Sequence, residues 1–102
     1  MSLGDLQHMT MLAVARLGPK AYGAAIRDEL RVVGGRSVTV PTIYVTLVRL
    51  EEHGLVESGE GRTDGGRPGR PRRVFRLTRE GWEALEAARG EISRMWEGVA
   101  RP

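Results

Sequence analysis

The sequence predicts a mainly α-helical domain with one small β-hairpin, closed by a long C-terminal helix. Three observations carry this reading. Four segments repeat apolar residues at helical spacing. Two short, partly alternating stretches flank a run rich in arginine and glycine. Glycine and proline pairs punctuate the joins. The chain has 102 residues, 40% of them hydrophobic and 28% charged, which suits one small globular domain. A domain of this size buries only about 60–70% of the surface its unfolded chain exposes, so a second copy would add useful cover.

The first helix is expected from Asp5 to Leu17. Leu6, Met9, Val14 and Leu17 are apolar, and Met11, Leu12 and Ala13 widen the stripe, as in a helix buried on much of its circumference. Asp5 is the expected N-cap, and Gly18-Pro19 the stop. A second helix runs from about Ala21 to Val33, with Tyr22, Ile26, Leu30 and Val33 on one stripe and Gly34-Gly35 at its end. The stretch SVTV, residues 37–40, reads as a short extended segment. Pro41 suits the first position of a third helix, where a missing N–H does no harm. Ile43, Leu47 and Leu50 form that helix's inward stripe. Thr42, Val45, Arg49 and Glu52 point the other way, with Thr46 on the border.

LVESG and RRVFRLT read as two strands. Between them lies GRTDGGRPGRPRR, residues 61–73, with five arginines and four glycines against one acid. Held at both ends by strands, this run is a hairpin loop and not a tail. Thr78 can cap the last helix. Leu85, Ala88, Ile92, Met95 and Val99 recur along it at threes and fours, with Trp82 and Trp96 beside the seam. A helix of about 20 residues is roughly 30 Å long, too long to bury its apolar seam on so small a body. A partner helix from a second copy is its expected cover.

Charge is unevenly placed. From Arg62 to Arg79 there are seven arginines and one acid, whereas the remainder holds nine basic and twelve acidic residues. An acidic body carrying a basic strip points to a polyanionic partner. The chain has no cysteine, which excludes disulfides and thiolate metal sites. It has no apolar run near the ~18 residues of a membrane span and no basic segment ahead of its first apolar stretch, so neither membrane nor signal peptide is expected; a cytoplasmic location is. His8 and His53 lack companions at metal-ligand spacing. Asp28-Glu29 and Glu51-Glu52 are neighbours that point apart on helices and read as surface charge. No nucleophile elbow, phosphate loop or catalytic triad pattern occurs. No enzyme activity, metal or cofactor is expected.

The order helix, helix, short strand, helix, strand, basic loop, strand, helix is that of a winged helix-turn-helix with an added C-terminal dimerisation helix. The third helix would enter the DNA major groove and the hairpin, or wing, would lie along the neighbouring backbone. Residues 1–77 would form the DNA-binding domain, with the wing at about 59–73, and 78–102 the dimerisation helix. On the third helix Thr42, Val45, Thr46 and Arg49 are candidates for the groove. An arginine can hold guanine O6 and N7 together, and threonine or valine methyls can meet a thymine methyl. In the wing, Arg62, Arg67, Arg70, Arg72 and Arg73 are candidates for phosphate or minor-groove contact, with glycine allowing close approach.

The stretches AYGAAIRDEL, TIYVTLVRLEEHGLVES and RRVFRLTREGWEAL together resemble the PadR family of bacterial transcriptional regulators, from Leu6 to about Trp96. The short length and single C-terminal helix resemble its smaller subgroup. The resemblance implies a homodimer formed through the last helix, a near-palindromic double-stranded operator, and in most members repression. It also implies that the Tyr44 hydroxyl reaches a phosphate, although simple packing of that ring is an equal reading. In some short relatives a tryptophan of the last helix faces its twin across a flat apolar chamber for planar ligands. Trp96 stands at the matching place, with Trp82, Leu85, Ile92, Met95 and Val99 as the other candidates for the dimer surface or a ligand pocket; ordinary dimer-core packing is the competing reading. A chamber of this kind would take a planar apolar or cationic effector. The wing is richer in glycine and arginine than the family pattern, and Trp82 stands where a polar residue is usual. A winged-helix protein-interaction module without its own operator is the alternative function. RNA binding is weaker, since no aromatic platform is evident.

Overall fold

The computed structural model describes residues 3–61 and 72–102. It contains four helices and one antiparallel hairpin: α1 (Asp5–Leu17), a short 3-10 turn (Gly18–Lys20), α2 (Gly23–Val32), α3 (Val40–Glu52), β1 (Val56–Glu60), β2 (Arg73–Leu77) and α4 (Arg79–Trp96). This is the winged helix-turn-helix architecture.

Helices α1, α2 and α3 pack around one core. Met11, Ile26, Ile43, Leu47 and Leu50 are fully buried, and Val14, Leu30, Val56 and Phe75 nearly so. Full burial of an aliphatic or aromatic side chain is worth about 1.5–3 kcal/mol, so these positions dominate the stability of the fold. The inward stripe of α3 is the expected Ile43, Leu47 and Leu50. On α2 the stripe stops earlier than expected: Ile26 and Leu30 are buried, but Val33 is 55% exposed, because the helix ends at Val32. On α1, Leu12 likewise faces outward.

Two helix starts differ from the sequence reading. Asp5 is the first residue of α1 and not its cap; Gly4 precedes it, and its N–H donates to the Gln7 side-chain oxygen at 3.2 Å. Residues 37–40 form no strand. Thr39 instead caps α3, its hydroxyl oxygen accepting the Thr42 N–H at 3.4 Å, and Val40 is already helical. Capping offsets one of the backbone donors that a helix start leaves unpaired, and this outweighs the β-propensity of two valines. Pro41 is tolerated in the first turn for the same reason: its missing N–H would have had no partner there.

The extended segment that joins the sheet comes from elsewhere. Tyr22 bridges Val74 antiparallel to β2, and the Phe75 N–H donates to the Ala21 carbonyl at 2.9 Å. The β1–β2 register pairs Val56 with Leu77, Ser58 with Phe75 and Glu60 with Arg73. Val56 and Phe75 thereby share the face that closes the core.

Helix α4 starts as expected at Thr78, whose hydroxyl oxygen accepts the Gly81 N–H at 3.0 Å. The same hydroxyl donates to the Gly54 carbonyl at 2.6 Å, and the Thr78 N–H donates to the Leu55 carbonyl at 3.1 Å. Gly81 and Leu85 are buried against the body, whereas every residue from Glu91 onward is exposed. The distal half of α4 therefore extends away from the body instead of folding back on it.

Candidate nucleic-acid interface

The outward face of α3 follows from its inward one. With Ile43, Leu47 and Leu50 in the core, Pro41, Thr42, Val45, Val48, Arg49 and Glu52 are exposed on the opposite arc. Val45 is 53% exposed. Arg49 forms no ion pair or side-chain hydrogen bond among the described residues, which leaves its guanidinium donors available. The Thr42 hydroxyl accepts a hydrogen bond from the Thr39 hydroxyl at 2.9 Å, so it is oriented by the cap.

Thr46 departs from the expected face. It is 7% exposed, and its hydroxyl donates to the Thr42 carbonyl at 3.0 Å within the helix. The exposed arc is centred nearer Val45 than the sequence reading had it, which turns Thr46 inward. The same shift brings out Val48, which that reading missed. Its spacing of three from Val45 was the available signal, hidden because an isolated valine reads as core.

Tyr44 lies at the edge of this arc. Its ring is half-buried and meets the Phe75 ring edge-on, with centroids 5.9 Å apart and planes at 67°. Its hydroxyl has no hydrogen-bond partner among the described residues. The contact brings α3 and the base of the wing side by side.

Of the wing arginines, Arg62, Arg67 and Arg70 lie outside the described residues. Arg72 and Arg73 form the wing's second root. The Arg72 guanidinium stacks 4.2 Å over the Tyr22 ring, a cation–π geometry. Arg73 donates to the Ser58 hydroxyl at 2.7 Å and pairs with Glu51 of α3 at 3.5 Å. Ser58 in turn donates to Glu51 at 2.6 Å. Arg73 thus ties the wing to the C-terminal end of α3. Successive residues of an extended chain point to opposite faces, which accounts for the different partners of Arg73, the first residue of β2, and Arg72 just before it.

The second candidate region is α4. Trp82, Ile92, Met95 and Trp96 are 49%, 56%, 74% and 68% exposed; Val99, expected on the same helical stripe, is 61% exposed but lies beyond the helix, which ends at Trp96 ahead of the left-handed Gly98. Leu85, grouped with them by spacing, is instead 5% exposed and belongs to the core of the domain. The helix contacts the body only through its first turns, and Leu85 is the last large apolar residue within reach.

The sequence matches the model of the transcriptional regulator PadR-like family over residues 11–87. The chain belongs to the PadR-like family. Its members are transcriptional regulators, and DNA binding by this protein follows from that membership and its winged-helix fold. The PadR-like chain is similar to a PadR family transcriptional regulator from Eggerthella lenta, at 30% identity and a TM-score of 0.66, covering 89% of this chain and 77% of that one. It is also similar to a PadR family regulator from Clostridium difficile, at 28% identity and a TM-score of 0.64, covering 87% and 94% respectively. RosR of H. salinarum aligns at 27% identity and a TM-score of 0.70, over 96% of this chain and 81% of that one. No curated protein sequence matches the chain. Among the described residues no helix is long and apolar enough to cross a membrane, and no cluster of metal-ligating side chains occurs.

Proposed function

We propose that this PadR-like regulator is a homodimeric repressor that reads a near-palindromic operator with α3 and grips the flanking backbone with its wing. The observation that carries the reading is the Tyr44–Phe75 contact, which sets the recognition helix and the wing base next to each other. Arg49 supplies bidentate donors for a guanine, and Thr42, Val45 and Val48 supply short groups suited to thymine methyls. The Tyr44 hydroxyl is available for a phosphate oxygen. Arg62, Arg67, Arg70 and Arg72 add charge along the backbone, and Arg73 braces the wing. Neutralising phosphates with these arginines makes affinity steeply salt-dependent.

Dimerisation through α4 is supported by its exposed seam of Ile92, Met95 and Trp96, with Val99 exposed just beyond the helix end. Two such helices would cover each other's apolar faces and set two α3 helices one DNA turn apart, about 34 Å. Trp82 and Trp96 supply the aromatic surface for a planar apolar or cationic effector, whose binding between subunits would change the spacing of the recognition helices and release the operator. Residues 1–77 would then act as the reading head and 78–102 as the dimer element.

Selection of bound duplexes from a random DNA pool tests this reading. A palindromic motif with half-sites separated by about 10–10.5 base pairs is expected. Val45 and Val48 would also suit docking on a protein, the alternative function. Enrichment of no motif, with binding governed by salt alone, would favour that alternative.

A further inference from the structure

Three parts of the molecule meet at Tyr22-Gly23. The Phe75 N–H bonds the Ala21 carbonyl, Tyr22 bridges Val74, and Arg72 stacks on the Tyr22 ring. These contacts fix the base of the wing to the start of α2. One residue later Gly23 opens α2 in a buried position. A β-carbon placed on Gly23 would lie 2.8 Å from Cε2 of Tyr44 and 3.1 Å from both Cζ and the hydroxyl oxygen. The Tyr44 ring therefore fills the space that a side chain at position 23 would need. The same ring touches Phe75 edge-on.

We propose that Gly23 is a positioning residue for DNA recognition: by leaving room for the Tyr44 ring between α2 and Phe75, it sets the recognition helix in register with the wing. The inference rests on α3 being the helix that reads DNA. Alanine favours helices over glycine, so glycine in the first turn of α2 brings no local advantage; the advantage is the close approach of Tyr44. The atoms that would collide belong to the far end of a half-buried side chain. The cheapest relief is a swing of the ring, with Ile43, Leu47 and Leu50 staying in the core. Such a swing displaces the Tyr44 hydroxyl and loosens its contact with Phe75. It produces a misplaced recognition surface on a folded protein.

The experiment compares Gly23→Ala in the wild-type and Tyr44→Leu backgrounds. Thermal midpoints are measured for all four chains, with affinities for the duplex selected by the wild type and for a scrambled duplex of equal length. In the wild-type background Gly23→Ala is expected to lower affinity for the selected duplex roughly tenfold, because the displaced Tyr44 hydroxyl no longer holds the phosphate that fixes α3 in register on that duplex. Scrambled-duplex affinity should change less than about twofold, since it depends on phosphate charge, and the midpoint should move by less than about 4 °C. In the Tyr44→Leu background the same alanine should leave selective affinity unchanged, because the colliding ring atoms are gone. Equal losses in both backgrounds, or no loss in either, would overturn the proposal. Should Gly23→Ala alone fail to fold, the double variant must fold, and its failure would likewise overturn it. A wild-type chain that selects no duplex would overturn the reading of α3 itself and this proposal with it, an outcome distinct from those above.

Discussion

The α-carbon of Gly81 rests against the carbonyl oxygen of Leu55, so close that a β-carbon there would overlap that oxygen. The same carbonyl accepts the Thr78 N–H, and the Thr78 hydroxyl caps the N–H of Gly81. One turn of backbone thus docks α4 onto the start of the hairpin, and the direction in which α4 leaves the body is set there.

Gly81→Ala is accordingly expected to destabilise the protomer. The colliding atom is backbone and cannot swing aside, so relief requires shifting α4 or the Gly54-Leu55 turn. Overpacking of this kind costs about 1–3 kcal/mol, and chemical denaturation would read it. A variant as stable as the wild type would show that α4 docks differently.

Thr10 is fully buried in α1, and its hydroxyl has no hydrogen-bond partner among the described residues. A buried polar group left unpaired costs about 1–3 kcal/mol. Thr10→Val keeps the shape and removes the hydroxyl, and is expected to raise the thermal midpoint. A gain of about 1 kcal/mol corresponds to roughly 4–8 °C in a domain of this size. A lower midpoint would mean that the hydroxyl is paired in solution.

Arg49→Ala should relax base preference at one position of each half-site. The expected loss is about 1–3 kcal/mol for the preferred base, with little change at other positions. Binding of the variant to a set of single-base operator substitutions checks this. A uniform loss across all sequences would reassign Arg49 to the phosphate backbone.

Trp96→Ala should weaken self-association and leave the fold intact. Trp96 is 68% exposed on the protomer, so its truncation removes nothing from the core. Buried aromatic anchors at interfaces are worth about 2 kcal/mol or more, and a shift of that size is roughly 30-fold in the dimer dissociation constant. Sedimentation at graded concentrations reads it directly. An unchanged constant, or a monomer at every concentration, would count against the proposed dimer through α4.

The helical part of the fold was legible in the sequence because periodicity reports burial. Ile43, Leu47 and Leu50 announce α3 and its outward face, Thr78 announces α4, and the two strands bracket the basic run. The candidate face on α3 was legible to within one residue on either side, with Thr46 lost to the core and Val48 gained. Apolar residues alone could not place the rest. Leu85 and Ile92 share one stripe, yet only the docking of Gly81 on Leu55 determines that the first is core and the second bare. Residues 37–40 carry strand-forming valines, yet the cap offered by Thr39 decides for helix. Ala21 and Tyr22 show no strand pattern, and their pairing with β2 follows from where α1 delivers them.

From sequence alone come the order of the four helices and the hairpin, most of the inward stripes and the basic strip, since each depends on local spacing and charge. Which arginine braces the wing, which glycine makes room for a tyrosine and how far α4 projects were settled only in three dimensions. Those outcomes depend on contacts between residues distant in the chain, and spacing carries no record of such distances.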